Sequence, residues 1–528
     1  MGRSLNSWSD RTKALALFGL TLLVYGFGIN RDFIFDDLVY ISQNPLLGRP
    51  DALHLFWFTA DAFNYYPLFW SLLHLQWLAW GDYPLGYHAV TLLVHGVNVI
   101  LLWRILRACR VGGAGWIAAL FAVHPVNVQT IAWAAEQKNT WSFLFMALAF
   151  IAFIKHAEKD DWRCYGISFV CFLAALACKT STVCLPIFLA IYYGFRRETG
   201  ARRILLRLFP FFIAGIAAGI TTMWFEQHRV GAKSLIGTLN LWQRMEAAGA
   251  AFWFYLEKAI VPIHLTPMYR GWADTTAATH TVIPGLLLVL LLAACALSWR
   301  RISAPVALGI TYYALMLLPL LGVFDTNYFI YSQIADHWQY HALPGLLVAL
   351  VSAARSLRER IPLFARYSKL AGMLVVAITA LLASAHFAHF ENARTLWTYV
   401  IKQNPDAWMA WYNLGNDHFD NHEYSEAIAA YHESIRLRPG YYRSNFNLAN
   451  TLAAANRFDE ADRAYLEAEK ISPADSDAFV NRAVVHLHMG RNDEAVQELR
   501  HALELQPHKA SAEANLARIE RNLSLSPR

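Results

Sequence analysis

Charge is scarce in this sequence. Asp, Glu, Lys and Arg make up 16% of its 528 residues, against about 25% in an ordinary globular chain. That excludes a soluble globular enzyme and a charge-rich disordered chain. Cysteine is scarce too. Cys109, Cys164, Cys171, Cys178, Cys184 and Cys295 are the whole set, and no C-x-x-C occurs. A secreted disulfide scaffold and a zinc site are thereby excluded, and Cys164, Cys171 and Cys178 read as packing on one helix face. No A-x-A cleavage site follows the first apolar run, so that run is read as a retained anchor. Hydrophobic residues, at 56%, and aromatics, at 14%, fill the gap.

The composition is an average over two unlike parts. Up to about residue 390 the chain is a series of apolar runs. Beyond it the sequence is polar and helical. From Asp406 onward there are 13 Lys+Arg against 19 Asp+Glu, so this stretch carries −6 of the +6 total and the remainder carries +12. The positive charge lies in short loops between apolar runs, where it reads as membrane topology and not as nucleic-acid binding.

A spanning helix needs roughly 17–25 mostly apolar residues. Eleven runs are read as spans: 14–30, 84–106, 114–134, 140–155, 164–178, 181–195, 207–225, 281–299, 304–322, 339–354 and 370–388. The stretch 246–263 carries Glu246, Glu257 and Lys258 and is read as not crossing, lying instead in the interface. With that choice every basic cluster falls on the cytoplasmic side, including Arg3, Arg11 and Lys13 ahead of the first span. The N-terminus is then cytoplasmic. Loops 31–83, 226–280 and 323–338, and the tail, are external.

The tail repeats. Pro405, Pro439, Pro473 and Pro507 stand 34 residues apart. Leu414, Gly415, Ala427 and Tyr431 recur as Leu448, Ala449, Ala461 and Tyr465, and more loosely as Arg482, Ala483, Ala495 and Leu499. This is the tetratricopeptide (TPR) signature. The expected plan is a membrane unit over 1–390, a linker over 391–405, then three repeats over 406–528. Residues 508–528 would cap the last apolar face. Such an array offers a concave surface to a protein or peptide, not a catalytic centre.

Candidate chemistry gathers on the external side. Asp36 and Asp37 are an adjacent carboxylate pair that can act as a general base or bind a divalent metal. Asp-Asp alone is more plainly a pair of solvated acids capping a turn, but its loop is rich in aromatics and carries Asn44-Pro45 and Gly81-Asp82-Tyr83-Pro84-Leu85-Gly86-Tyr87-His88. The next external turn holds His124-Pro125 and Glu136-Gln137-Lys138-Asn139, with Glu136 and Lys138 read as able to snorkel. Lys179, Arg270, Asp336-His337 and Tyr340 lie at later external positions. An acidic pair facing several cations suits transfer from a phosphorylated lipid.

Together these motifs resemble the GT-C glycosyltransferases, and most closely the transmembrane TPR-containing O-mannosyltransferases and their bacterial relatives. The resemblance covers most of the chain. It rests on Asp36-Asp37, Asn44-Pro45, Gly81…Pro84…Tyr87-His88, His124-Pro125, Glu136…Asn139, Lys179 with Pro186, and Asp336-His337-Trp338 with Tyr340. Where such relatives often carry Glu, Arg and Asp, this chain has Gln129, Gln137 and Asn139, and His337 stands where they often have Arg. The resemblance implies an all-α GT-C-type bundle followed by an external TPR α-solenoid. It implies an inverting transferase that moves a sugar from a polyprenyl-phosphate donor to a hydroxyl on a protein or envelope glycan. Asp36 or Asp37 would be the base, with Asp36 favoured. His88, His124, Glu136, Lys138, Lys179, Arg270, Asp336, His337 and Tyr340 would contact donor phosphate or substrate. No cofactor is expected, although Mg or Mn at the acidic pair is the alternative. The TPR array would recruit the acceptor, and membrane lipid would surround the bundle. In a bacterium the array would be periplasmic, on the inner membrane; in a eukaryote it would face the lumen of the endoplasmic reticulum. Two other readings remain: a membrane-anchored TPR scaffold with a weakened transferase unit, and a transporter of lipid-linked sugar.

Overall fold

In lipid every backbone polar group must be satisfied within the segment, so long apolar runs become helices. A computed structural model describes residues 9–196, 201–229, 240–270, 283–298, 304–322 and 326–525. Among these, helices are the sole regular elements. The chain divides into two compact units, Met1–Asn392 and Ala393–Arg528.

In the first unit, four helices are long and apolar enough to cross a membrane: Pro84–Ala108, Ala134–Lys159, Arg202–His228 and Pro362–Ala388. A fifth is counted if Ala114–Ala122 and Pro125–Ala132 form one span bent by 49°. Shorter apolar helices cover Trp162–Cys178, Thr180–Phe195, Ile283–Leu297 and Ala304–Leu320. The expected spans 14–30 and 339–354 correspond to helices Asp10–Tyr25 and Leu343–Arg360. Helix Leu241–Ile260, with its four charged residues, is not among the candidate spans. Arg202–His228 and Pro362–Ala388 hold large apolar side chains out of the protein core, among them Leu206, Ile213, Ile220, Leu374, Ile378 and Leu381. A helix that is apolar all round and largely unburied suits a lipid surround.

The bend sits at His124-Pro125. Proline supplies no N–H and pushes its predecessor out of the α region, so His124 is extended (φ −74°, ψ 129°). The histidine repairs the break. Its Nδ1 accepts from the Val126 N–H (3.4 Å) and its Nε2 meets the Ala259 carbonyl (3.0 Å). Residues 121–140 are buried throughout. The expectation that Glu136 and Lys138 snorkel toward solvent is therefore wrong. Both are buried because each is the other's ion partner.

The stretch 31–83, expected as an external loop, is itself structured, with helices Ala52–Phe58 and Pro67–Trp80. Its entry is pinned by Arg31. That guanidinium lies over the Phe387 ring, 3.6 Å from the centroid, and donates to the Phe387 carbonyl. The neighbouring Asp32 N–H bonds the Glu391 carbonyl (3.2 Å).

The second unit stacks helix pairs: Trp408–Asp420 with Tyr424–Leu437, Tyr442–Ala454 with Phe458–Ile471, and Ser476–His488 with Asn492–Leu505. Small residues set the crossings. A Cβ on Gly415 would lie 2.7 Å from the Tyr431 ring, and Ala449, Ala461, Ala483 and Ala495 are fully buried. The turn inside each pair uses one left-handed residue at the same 34-residue step: His422 (φ 61°), Asn456 (φ 60°) and Gly490 (φ 75°). Helix Ala510–Leu525 buries Ala512 and Ile519 against Phe479, Leu499 and Ala502, as a cap should. The stretch 391–405, expected as a linker, holds helix Ala393–Gln403. Its Leu396, Trp397 and Val400 are buried, an apolar face at helical spacing.

The third repeat places a charge where the others have leucine. Arg482 occupies the register of Leu414 and Leu448. Its guanidinium, only 12% exposed, reaches Asp462 (2.6 Å), Glu469 (2.9 Å) and Glu498 (3.1 Å). His486 also bonds Asp462 (3.0 Å).

Candidate active site

The Asp36–Asp37 pair follows the residue Phe35, whose left-handed backbone (φ 53°) turns the loop inward. The two carboxylates have different fates. Asp37 is fully buried and accepts three backbone N–H groups: Ile34 (3.1 Å), Ala134 (3.3 Å) and Ala135 (2.5 Å). It rivets the loop to the backbone just ahead of Glu136. Asp36 is part-exposed, and its enclosed Oδ1 makes no hydrogen bond of ordinary geometry. The Trp133 indole is near enough to favour its charged form slightly. Burial pushes the Asp36 carboxyl up to about 7, with Lys138 opposing the rise. Burial and then the Asp36 charge push Asp37 well above the usual carboxylate range, against its three N–H partners. Asp36 is thus the member able to exchange a proton near neutral pH.

Glu136 is the hub beside this pair. It follows the break, in a single turn Ala134–Glu136 that opens helix Gln137–Lys159. Its Oε1 meets Lys138 Nζ (2.8 Å) and His337 Nε2 (3.7 Å), and its Oε2 meets Lys179 Nζ (3.5 Å). Asn139 bridges the set. Its amide donates to Glu136 Oε2 (2.5 Å) and its carbonyl accepts from Lys179 (2.6 Å). Lys138 also faces the Tyr40 ring (5.1 Å). Burial drives His337 down to about 3, so this histidine is neutral and adds no charge at ordinary pH. Two ammonium groups thus face one carboxylate in a buried setting, an excess of one positive charge. Phe35, Trp133, Tyr328 and His337 form an aromatic wall here, with Phe35–Trp133 at 5.0 Å, Trp133–His337 at 5.5 Å and Tyr328–His337 at 5.4 Å.

The structure brings Glu136, Lys138, Lys179 and His337 together, and the charges of Glu136 and Lys138 act on Asp36. It engages the other candidates elsewhere. Both His124 nitrogens serve the helix break. His88 is buried where helix Pro84–Ala108 begins, close to the backbone at Arg31 and Asp32. Tyr340 joins a separate polar core, its hydroxyl meeting His95 (2.8 Å) and Asn98 (3.2 Å). Asp336 accepts from the Tyr269 hydroxyl through both oxygens (2.9 and 3.0 Å), and burial raises it to about 7. Arg270 is exposed at the end of a described stretch.

The uncharged positions are all engaged. Gln129 accepts the His337 N–H (3.0 Å). Gln137 forms a reciprocal amide pair with Gln76 of the loop helix (3.0 and 3.1 Å) and donates to the Tyr87 carbonyl (3.0 Å). Sequence reasoning missed Gln76, Tyr40 and Tyr269. Only Tyr40 had a signal. It stands one helical turn beyond Asp36, where its N–H bonds the Asp36 carbonyl (2.8 Å).

The tetratricopeptide repeat family matches residues 387–442, 412–476 and 446–510. The tail is a tetratricopeptide array. Over 176 residues the chain is 30% identical to the protein O-mannosyl-transferase Tmtc1 of Drosophila melanogaster, covering 31% of this chain and 20% of that protein. A protein O-mannosyl-transferase of Caenorhabditis elegans is 22% identical over 452 residues, 81% of this chain and 63% of that one. The chain therefore spans from about a fifth to under two thirds of these relatives' length. Among solved structures, the Arabidopsis OM64 TPR domain aligns at 23% identity over 22% of this chain and 97% of that domain, with a TM-score of 0.22. Both relatives are named as protein O-mannosyl-transferases.

Proposed function

We propose that this chain is a GT-C-type glycosyltransferase that moves a sugar from a polyprenyl-phosphate donor to a hydroxyl acceptor. Asp36 takes the acceptor's proton. The acceptor oxygen then forms a bond to the anomeric carbon as the bond from that carbon to the phosphate oxygen breaks. The polyprenyl phosphate leaves with the electron pair, and the configuration inverts. Lys138 and Lys179 face the leaving phosphate and stabilise its growing charge. Glu136 holds both lysines in place, and Asn139 fixes their spacing. Asp37 positions the loop and stays out of the chemistry.

One observation carries the reading. Two buried ammonium groups exceed their single carboxylate by one charge, beside a carboxyl tuned near neutrality, and a general base works best there. No metal is assigned to the pair, because the Asp37 oxygens already face three N–H donors. His88, His124, Tyr340 and Asp336 act as positioning residues for the elements that carry the site. We place the N-terminus in the cytoplasm, eleven spans in the membrane, and the array outside, where it recruits a protein or glycan acceptor. In a bacterium that side is the periplasm; in a eukaryote it is the endoplasmic reticulum lumen.

The test is transfer from a radiolabelled panel of polyprenyl-phosphate sugars by purified protein in native lipid, with and without chelator. Wild type should transfer, Asp36→Asn should not, and chelator should have no effect. Turnover unchanged in Asp36→Asn would remove Asp36 as base. A folded wild type silent with every donor would favour the scaffold reading.

A further inference from the structure

Helices Pro84–Ala108, Gln137–Lys159, Leu185–Arg196, Ala304–Leu317 and Leu343–Arg360 enclose an apolar groove of about 270 Å³. It begins at Phe143, Leu185 and Pro344, a few residues beyond the ionic hub along their chains. It ends at Cys109, Arg110 and Ala304, at the other ends of their helices. Close backbone contact makes its floor. A Cβ on Gly309 would lie 2.5 Å from the Gly345 carbonyl oxygen, so the last two helices touch there without side chains.

Arg110 is the one charged residue among those described that line the groove. A second guanidinium packs on the turn that follows it. Arg355 packs on Gly112, where a Cβ would lie 2.6 Å from its Nε, and Val111 between Arg110 and Gly112 lines the groove. On helix Leu343–Arg360 the groove-lining Gly345 and Val348 continue at helical spacing to Arg355. That side chain lies seven residues past Val348, about 10 Å further along the axis. Both arginines are exposed, and neither pairs with a carboxylate among the described residues. Nearby Arg107 differs, being tied to Asp10.

A slot for one hydrocarbon chain that ends at two unpaired guanidinium groups has the complement of a specific amphiphile. We propose that it holds one acyl chain of an anionic glycerophospholipid, whose phosphate sits between Arg110 and Arg355. Net negative charge is required, because among the described residues the mouth offers two cations and no carboxylate to meet a zwitterionic head. This site lies at the far end of the bundle from Asp36 and does not rest on the proposed transfer reaction.

The protein is reconstituted in nanodiscs of equal phosphatidylglycerol and phosphatidylcholine, then stripped with detergent, and the retained lipid is weighed by native mass spectrometry. Wild type should retain phosphatidylglycerol over phosphatidylcholine by tenfold or more. Arg110→Gln with Arg355→Gln should bring that ratio to within twofold of one. Leu308→Trp fills the groove and should lower retention of both lipids, with the helical circular dichroism unchanged. Equal retention by wild type, a preference that survives the double substitution, or a polyprenyl phosphate as the retained species would each overturn the proposal.

Discussion

The two units each bury an ionic cluster, and the two clusters are inverted. In the membrane unit one carboxylate, Glu136, is surrounded by Lys138, Lys179 and His337. In the tail one guanidinium, Arg482, is surrounded by Asp462, Glu469 and Glu498. The first is left with positive charge to spare, near an Asp36 oxygen with no full partner. The second spends its cation holding consecutive helices together where earlier repeats use leucine. A surplus of cations around one acid is an arrangement waiting for an anion. A surplus of acids around one cation is a joint, and the inequality of charge separates the two uses better than burial does.

Breaking the first cluster's chemistry should give the largest effect. Asp36→Asn keeps the shape and removes the base, so transfer should fall about 10²–10⁴-fold in the sugar-transfer assay, with unchanged thermal unfolding. Breaking the joint comes next. Arg482→Met leaves Glu469 and Glu498 without their cation, and Asp462 with Arg491 and His486 alone, and should cost about 3–5 kcal/mol, read as an early unfolding transition of the tail in a thermal scan. Lys179→Gln should lower kcat/KM by about 10²-fold, since it removes one phosphate-facing cation, while the tail's unfolding stays put.

Proton titration sharpens the comparison with smaller effects. The transfer rate should rise with pH and level off above about 7, as Asp36 ionises. In the tail, burial raises Glu469 to about 7. A carboxyl raised on folding favours the folded state when protonated. Its contribution is complete below the unfolded value, about 4.3, and is lost as pH rises to about 7. Glu469→Gln should flatten that limb in unfolding profiles taken from pH 4.5 to 8. The amide pair gives the smallest change. Gln76→Leu strands Gln137 and should cost about 1–3 kcal/mol, whereas Gln76→Leu with Gln137→Leu should be closer to neutral.

Much of this was legible in the residues. The prolines from Pro405 to Pro507 fixed the repeats, and even the left-handed turn residues follow their step. Pro125 marked the break between helices Ala114–Ala122 and Pro125–Ala132. Asp36-Asp37 and Glu136…Asn139 marked the candidate site, because charge in an apolar chain has few neutral explanations. What the sequence hid were pairings across long separations. Tyr340 stands three residues past His337 and looks like a site residue, yet its hydroxyl goes to His95 on a distant helix. Asp336 finds Tyr269, and Gln137 finds Gln76, through contacts no periodicity encodes. The division of labour within the Asp pair was also hidden, since it depends on which carboxylate meets the N–H groups of Ala134 and Ala135.

Arg31 and its partner Phe387 stand 356 residues apart in the chain. A ribosome delivers the first long before the second. The loop that carries Asp36 therefore leaves the ribosome early, but its entry cannot be locked until the final helix of the membrane unit has been inserted. A nascent chain stalled anywhere before Phe387 would hold that loop unlatched. Protease access near Arg31 during stepwise translation would thus report on completion of the bundle, a built-in marker of the last act of assembly.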